Sequence, residues 1–277
     1  MKLDDQIQQD LTELYRGREI SAAQSLAGLI NISKKGLPRH FTGDRAAKTV
    51  LVMLNPGQGV EEADKYYRCA TLDYDRSCEE TFIASYMTDL ANYGKTDKER
   101  QDYFDIKQAA FLKAWPRSGV RLPPRFPTDR KTFLAAKEAV LMQKLQLELI
   151  PYCSREFKPN KRFMSATVPF VETLLDEIFV KKRLYVIFCA GLFEKVFAFF
   201  NQDCGETVFE MEPARRTTRP IGPGKKLKGQ CRIVTIRYRG RTQRALIAHT
   251  FASQALSRAC DLMARYGEFC FHKFTNS

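Results

Sequence analysis

Four short runs of β-branched and aliphatic residues, each closed by a turn former, constrain this chain more than any other feature. Thr49-Val-Leu-Val-Met-Leu54 runs into Asn55-Pro56-Gly57, 145–150 stops at Pro151, 184–190 stops at Gly191, and 245–248 stops at His249. Continuous apolar runs of this length are typical of strands buried on both faces, as in parallel sheets. Helical periodicity at 168–179, 192–200 and 252–266 alternates with them, which implies βαβ crossovers and helices on both faces of a mostly parallel sheet. The expected class is α/β, with a three-layer α/β/α architecture. In such sheets ligands bind beyond the carboxyl ends of the strands, so the residues that follow the four runs are the first candidates for function.

The remainder of the chain fits around this frame. Leu3, Ile7, Leu11 and Leu14 recur at helical spacing and open the chain with a helix. Between the first and second strands, 78–92, 97–114 and 129–143 have helical pattern, broken by Pro116, Pro123, Pro124 and Pro127. This stretch reads as a helical insertion over about 60–144, set at the mouth of the sheet. Segments 208–211 and 232–238 suit an extra antiparallel pair, with 220–229 as their connection and a candidate nucleic-acid contact. With 277 residues, 44% of them hydrophobic, one domain spanning 1–277 is expected.

Charge narrows the partners. The formal net charge is +13, and 213–244 holds eleven Lys or Arg residues and no acid. Such a concentration attracts phosphate backbones through counterion release, without reading sequence. Arg215, Arg216, Arg219, Lys225, Lys226 and Lys228 are the candidate backbone contacts; a solvated basic loop is the plain alternative.

Other classes find little support. No run of eighteen apolar residues exists, and Met1-Lys2-Leu3-Asp4-Asp5 places acids where a secretory signal is apolar, so a cytoplasmic protein without a membrane span is expected. The eight cysteines are scattered with no C-x-x-C pair, which suits reduced thiols better than a metal site. Nucleophile-elbow, phosphate-loop and dinucleotide motifs are missing, and Cys153 reads as a buried thiol. His40 and His272 have no partner at recognisable spacing, and Trp115 reads as a packing anchor.

Taken together, Leu54-Asn55-Pro56-Gly57-Gln58-Gly59 and Ile247-Ala248-His249-Thr250-Phe251-Ala252-Ser253 carry a family resemblance. The first resembles the strand-end motif of mismatch-specific and single-strand-selective members of the uracil-DNA glycosylase superfamily. The other is similar to that superfamily's histidine motif, and Leu149-Ile150-Pro151-Tyr152 and Phe188-Cys189-Ala190-Gly191 stand where its second and third strands end. The resemblance covers 45–266 in outline and about twenty motif-like positions.

It implies four parallel strands in the order 2-1-3-4 and hydrolysis of the N-glycosidic bond of a flipped base in single-stranded or mismatched DNA, a DNA-repair activity. No cofactor, metal or iron–sulfur cluster and a monomeric state are expected. Asn55 would hold the hydrolytic water and His249 would donate a hydrogen bond to the base oxygen on which charge gathers. Pro56, Gly57, Gln58 and Gly59 would face the nucleotide, Tyr66 or Tyr67 would stack on the base, Phe251 would act as a wedge in the duplex, and Ser253 would meet the backbone.

Departures accompany the match. Thr250, Phe251 and Ala252 replace the usual Pro-containing loop, and Pro151 and Tyr152 occupy the place of a base-reading Asn and are the candidate base contacts there. No acid takes the water-activating position, so hydrolysis would be slow. A nucleic-acid-binding protein without catalysis and a nucleotide- or small-anion-binding α/β protein remain the alternatives.

Overall fold

The structure, a computed structural model, describes residues 1–32, 37–54, 78–91, 103–118, 142–152, 154–157, 159–217, 229–249, 251 and 260–276. Within these the helices are α1 (Leu3–Tyr15), α2 (Ser21–Gln24), α3 (Glu79–Ala91), α4 (Tyr103–Leu112), α5 (Lys161–Val180), α6 (Phe193–Cys204) and α7 (Cys260–Thr275). The strands are β1 (Ile30–Ile32), β2 (Phe41–Gly43), β3 (Thr49–Met53), β4 (Leu145–Glu148), β5 (Ser154–Phe157), β6 (Tyr185–Phe188), β7 (Phe209–Met211), β8 (Arg215–Arg216), β9 (Gln230–Tyr238) and β10 (Arg241–Ala248).

The four apolar runs form the middle of the sheet. β3 pairs in parallel with both β4 and β6, and β6 pairs in parallel with β10, giving the order β4-β3-β6-β10. The sheet has eight strands, not four. Antiparallel additions make the difference, with β2 beside β4 and β9, β7 and β8 beyond β10, and they cover edges that would otherwise expose unpaired backbone groups. The extra pair expected at 208–211 and 232–238 is β7 with β9. The last strand starts at Arg241 rather than Ala245, because β9 and β10 form a long hairpin. Its turn residues Arg239 and Gly240 have φ values of 47° and 73°, the left-handed pair that a tight twisted hairpin requires.

Strand alternation sorts the core into two halves. Val50, Val52, Val186, Phe188, Ala245 and Ile247 pack on one face with α1, α3, α5 and α6. Leu51, Met53, Tyr185, Ile187, Leu246 and Ala248 pack on the other with α4 and α7. The described helices of the insertion pack on the two faces of the sheet. Helix α3 joins the first layer, where Glu79 accepts from Thr12 of α1 at 2.6 Å, and α4 joins the second by packing on α7. Gly267 makes that packing close, because a Cβ there would lie 2.2 Å from the Phe111 carbonyl oxygen. Trp115 is the anchor expected of it, buried against Phe111, Tyr185, Phe271 and Phe274.

Local sequence explains the helix that spans the first layer. Asn160 caps α5 by accepting from the Phe163 amide at 2.9 Å, satisfying one of the free donors of the first turn. At its far end, buried Arg183 donates to the carbonyls of Arg45 and Ala47 and holds the link into β6 against the start of β3. No helix among the described residues is long and apolar enough to cross a membrane, and the described cysteines Cys78, Cys189, Cys204, Cys231 and Cys270 are free thiols.

Candidate functional site

The parallel register brings four chain exits to one rim. Val52 lies opposite Phe188, and Phe188 opposite Ile247. Beyond the strands, the Cys189 amide donates to Val52, Leu149 to Met53 and Ile150 to Leu54, so the chain leaves the sheet side by side after Leu54, Ile150, Ala190 and Ala248. With strands about 4.8 Å apart, the ends of β3 and β10 are separated by one strand and roughly 10 Å.

His249 stands at the end of β10, on the face of Ile247. Its Nε2 lies 2.5 Å from Oε1 of Glu194, a residue in the first turn of α6, where an acid also complements the helix dipole. The same oxygen accepts from Nε of Arg232, which sits opposite Ile247 on β9 and so points to the same face. Arg232 also donates through Nη1 to the Glu212 carbonyl at 3.0 Å. With Nε2 turned to a carboxylate, the neutral ring carries its proton there and Nδ1 is an acceptor. Donation to a ligand oxygen through Nδ1 therefore belongs to the imidazolium. Gly191 leaves room on that side, since a Cβ at this position would lie 3.2 Å from Nδ1.

A second polar group lies on the opposite face, beginning at Lys144 just before β4 and reaching the same rim at Glu148. Lys144, Gln146 and Glu148 alternate with Leu145 and Leu147 along β4, and all three are buried. Lys144 Nζ donates to Gln146 at 3.2 Å, and Gln146 donates to Glu148 Oε1 at 2.6 Å. Among the described residues Glu148 Oε2 is buried without a hydrogen-bond partner. Burial raises the Glu148 carboxyl to about 8, against the opposing pull of Gln146, Arg39 and Lys144. Burial likewise lowers Lys107 of α4 to about 8, with its ammonium 5.6 Å from the centre of the Phe251 ring. It pushes the Cys189 thiol well up, which keeps that sulfur protonated and poorly nucleophilic.

Comparison with protein-family models, curated proteins and solved structures finds no match. The site therefore rests on its own geometry. Asn55, Pro56, Gly57, Gln58, Gly59, Tyr66, Tyr67, Arg219, Lys225, Lys226, Lys228 and Ser253 lie outside the described residues, as does Cys153.

Three expected contacts take other places. Phe251 is wholly buried and meets Phe111 edge to face at 5.0 Å, so it is a core residue rather than a duplex wedge. A turn in which the Phe251 amide donates to the Ala248 carbonyl at 3.3 Å ends the strand alternation and carries this ring to the second face, away from that of His249. Tyr152 is also buried, donating to Asp10 Oδ2 at 2.8 Å and packing on Phe170, which is incompatible with reading a base. Pro151 is buried beside it and its carbonyl accepts from the Arg39 amide at 2.7 Å. His40, given no partner by its sequence neighbours, has its Nε2 3.0 Å from Asp10 Oδ2 in the interior.

The basic segment divides between the two ends of the sheet. Arg215, Arg216 and Arg232 lie at the His249 rim, because β8 pairs with Gln230 and Cys231. Arg215 is paired with Glu212 at 2.8 Å, whereas Arg216 is exposed. Arg237, Arg239 and Arg241 lie at the hairpin tip, at the other end of β10. Glu194 and the β4 ladder were missed from sequence. Their signals were an acid in the first turn after a strand end, and polar residues at period two inside an apolar run. Among the described residues no group of three or more His, Cys, Asp or Glu side chains is placed to hold a metal.

Proposed function

We propose that this chain is a nucleic-acid-processing protein of the uracil-DNA glycosylase type, hydrolysing the N-glycosidic bond of a flipped base at the carboxyl rim. The observation that carries the reading is that β3, which leads into Asn55-Pro56-Gly57, and β10, which ends at His249, finish at one rim with β6 between them. The order β4-β3-β6-β10 is the 2-1-3-4 order that the resemblance implies, and exposed Arg216 and Lys195 add positive charge near the same end.

In this reading Glu194 and Arg232 hold the imidazole, and its Nδ1–H, in the imidazolium form, faces the base oxygen. The C1′–N bond breaks with its electron pair leaving on the base, and that donor stabilises the charge where it collects. Water held by Asn55 adds to C1′ and releases its proton to the departing base or to solvent. An amide orients water without accepting its proton, so turnover is slow.

Incubation with oligonucleotides carrying uracil, hypoxanthine, xanthine or mismatched thymine, followed by alkaline cleavage, tests the proposal. Abasic product is expected with at least one substrate, reduced about 100- to 10,000-fold in His249→Ala and in Asn55→Ala. No product with any substrate would sink it.

One observation favours a second reading. His249 Nε2 is already engaged by Glu194, whose oxygen is shared with Arg232, as in a site that binds nucleic acid without cleaving it. That protein would show salt-sensitive affinity unchanged in His249→Ala and form no product.

A further inference from the structure

The amino-terminal rim of the sheet, opposite His249, carries a belt of exposed cations drawn from four separated parts of the chain. Lys48 precedes β3, Lys181 and Lys182 follow α5, Arg117 follows α4, Arg239 lies in the hairpin turn and Arg241 directly follows it. Backbone and side-chain bonds make them neighbours. The Lys48 carbonyl accepts from the Leu184 and Tyr185 amides, the Tyr185 hydroxyl donates to the Pro116 carbonyl at 2.7 Å, and Arg241 donates to the Phe179 carbonyl. Buried Arg183 fixes the loop that carries the two lysines.

The belt is under-neutralised. Arg239 pairs with Asp176 at 2.8 Å, but among the described residues no acid forms an ion pair with Lys48, Arg117, Lys181 or Lys182. The adjoining cavity of about 540 Å³ holds Asp4, Asp5, Asp176 and Glu177, of which Asp4 and Glu177 are bound to Arg45 and Asp176 to Arg239.

Backbone conformation supplies an independent observation. Among the described residues the two non-glycine positions with left-handed φ are Arg117 at 63° and Arg239 at 47°, and both lie in this belt. Such a backbone disfavours any side chain with a Cβ, and both positions carry a long cation where glycine would relieve the strain, Arg239 within its hairpin turn.

We infer that this amino-terminal rim is a second nucleic-acid-binding surface, which grips phosphates away from the His249 rim. Arginine forks and spaced lysines on fixed backbone suit a phosphodiester chain. With β10 spanning about 25 Å between the rims, one strand must extend over roughly eight nucleotides to reach both. The inference does not depend on glycosidic hydrolysis, since it concerns binding alone.

Anisotropy titrations of fluorescent single- and double-stranded oligonucleotides over a range of NaCl test it. The variant K48Q/R117Q/K181Q/K182Q is expected to bind about 10- to 100-fold more weakly at low salt, with a log Kd against log salt slope shallower by about 3 to 4. R117G/R239G, in which glycine suits the backbone, is expected to melt at no lower temperature and to bind several-fold more weakly. R215Q/R216Q serves as the comparison at the other rim. Unchanged affinity and slope in both belt variants would overturn the inference. So would binding of the unaltered chain to phosphatidylserine vesicles but not to oligonucleotides, with exposed Val180 and Leu184 then marking a membrane contact.

Discussion

The imidazole Nε2 of His249 and the carboxylate Oε1 of Glu194 lie 2.5 Å apart although 55 positions separate them in the chain. The contact is possible because β6 and β10 are parallel neighbours: α6 starts where β6 ends, beside the residue that ends β10. Both side chains are partly exposed, at 16% and 23%, so solvent screens the pair and its worth to stability is small. A double-mutant cycle with His249→Ala and Glu194→Gln should give a coupling energy below about 1 kcal/mol in denaturant unfolding. On a cleaved substrate Glu194→Gln should lower the rate about 10- to 100-fold, because the ring remains but its anion is gone. An unchanged rate would remove Glu194 from the site.

Gly191 offers a gentler perturbation. A Cβ there would stand 3.2 Å from His249 Nδ1 and 3.4 Å from Cγ, so the ring must move by a few tenths of an ångström. Gly191→Ala should change stability by less than about 1 kcal/mol while lowering activity, or base-dependent binding, more than affinity for undamaged DNA. Equal losses in all three measurements would mean that the face beside Gly191 is not where a ligand meets the ring.

The β4 ladder predicts an unusual pH profile. Glu148 has its carboxyl raised from 4.5 to about 8, so the folded state keeps a proton that the unfolded chain releases. Its contribution is complete below about 4.5 and is lost as pH rises towards 8. Lys107 is lowered from 10.5 to about 8, so the unfolded chain holds the extra proton between those values and stability recovers as pH climbs through them. Denaturant midpoints measured from pH 5 to 10 should therefore pass through a minimum near 8, and Glu148→Gln should remove the descending limb. Parallel curves for the two proteins would refute this assignment.

Phe251 distinguishes core from wedge. Its ring is fully buried between α4 and the sheet, so Phe251→Ala should cost about 3 to 5 kcal/mol in unfolding free energy. At temperatures where the variant remains folded, its affinity for duplex DNA should match that of the unaltered chain. A stable variant with weakened duplex binding would restore the wedge.

The parts of this fold that could be read in sequence are those whose information is local. The strand at Thr49–Met53 announces itself through a β-branched run and the Asn-Pro-Gly that stops it, and α5 and α6 through apolar residues at helical spacing. Edge strands of three residues or fewer, such as Phe41–Gly43 and Arg215–Arg216, are too short to show a period. The candidate site was half visible: His249 is conspicuous after its strand, whereas Glu194 and Arg232 become partners only through pairing that the chain does not advertise.

Sequence by itself determined that four buried strands alternate with helices and where each stops, because burial and turn chemistry act over a few adjacent residues. Only the tertiary structure decided that Asp10 meets His40 and Tyr152, that Phe251 turns inward, and that one basic segment serves two opposite rims. Those outcomes depend on strand order and on register, where a shift of one residue sends every side chain to the other face.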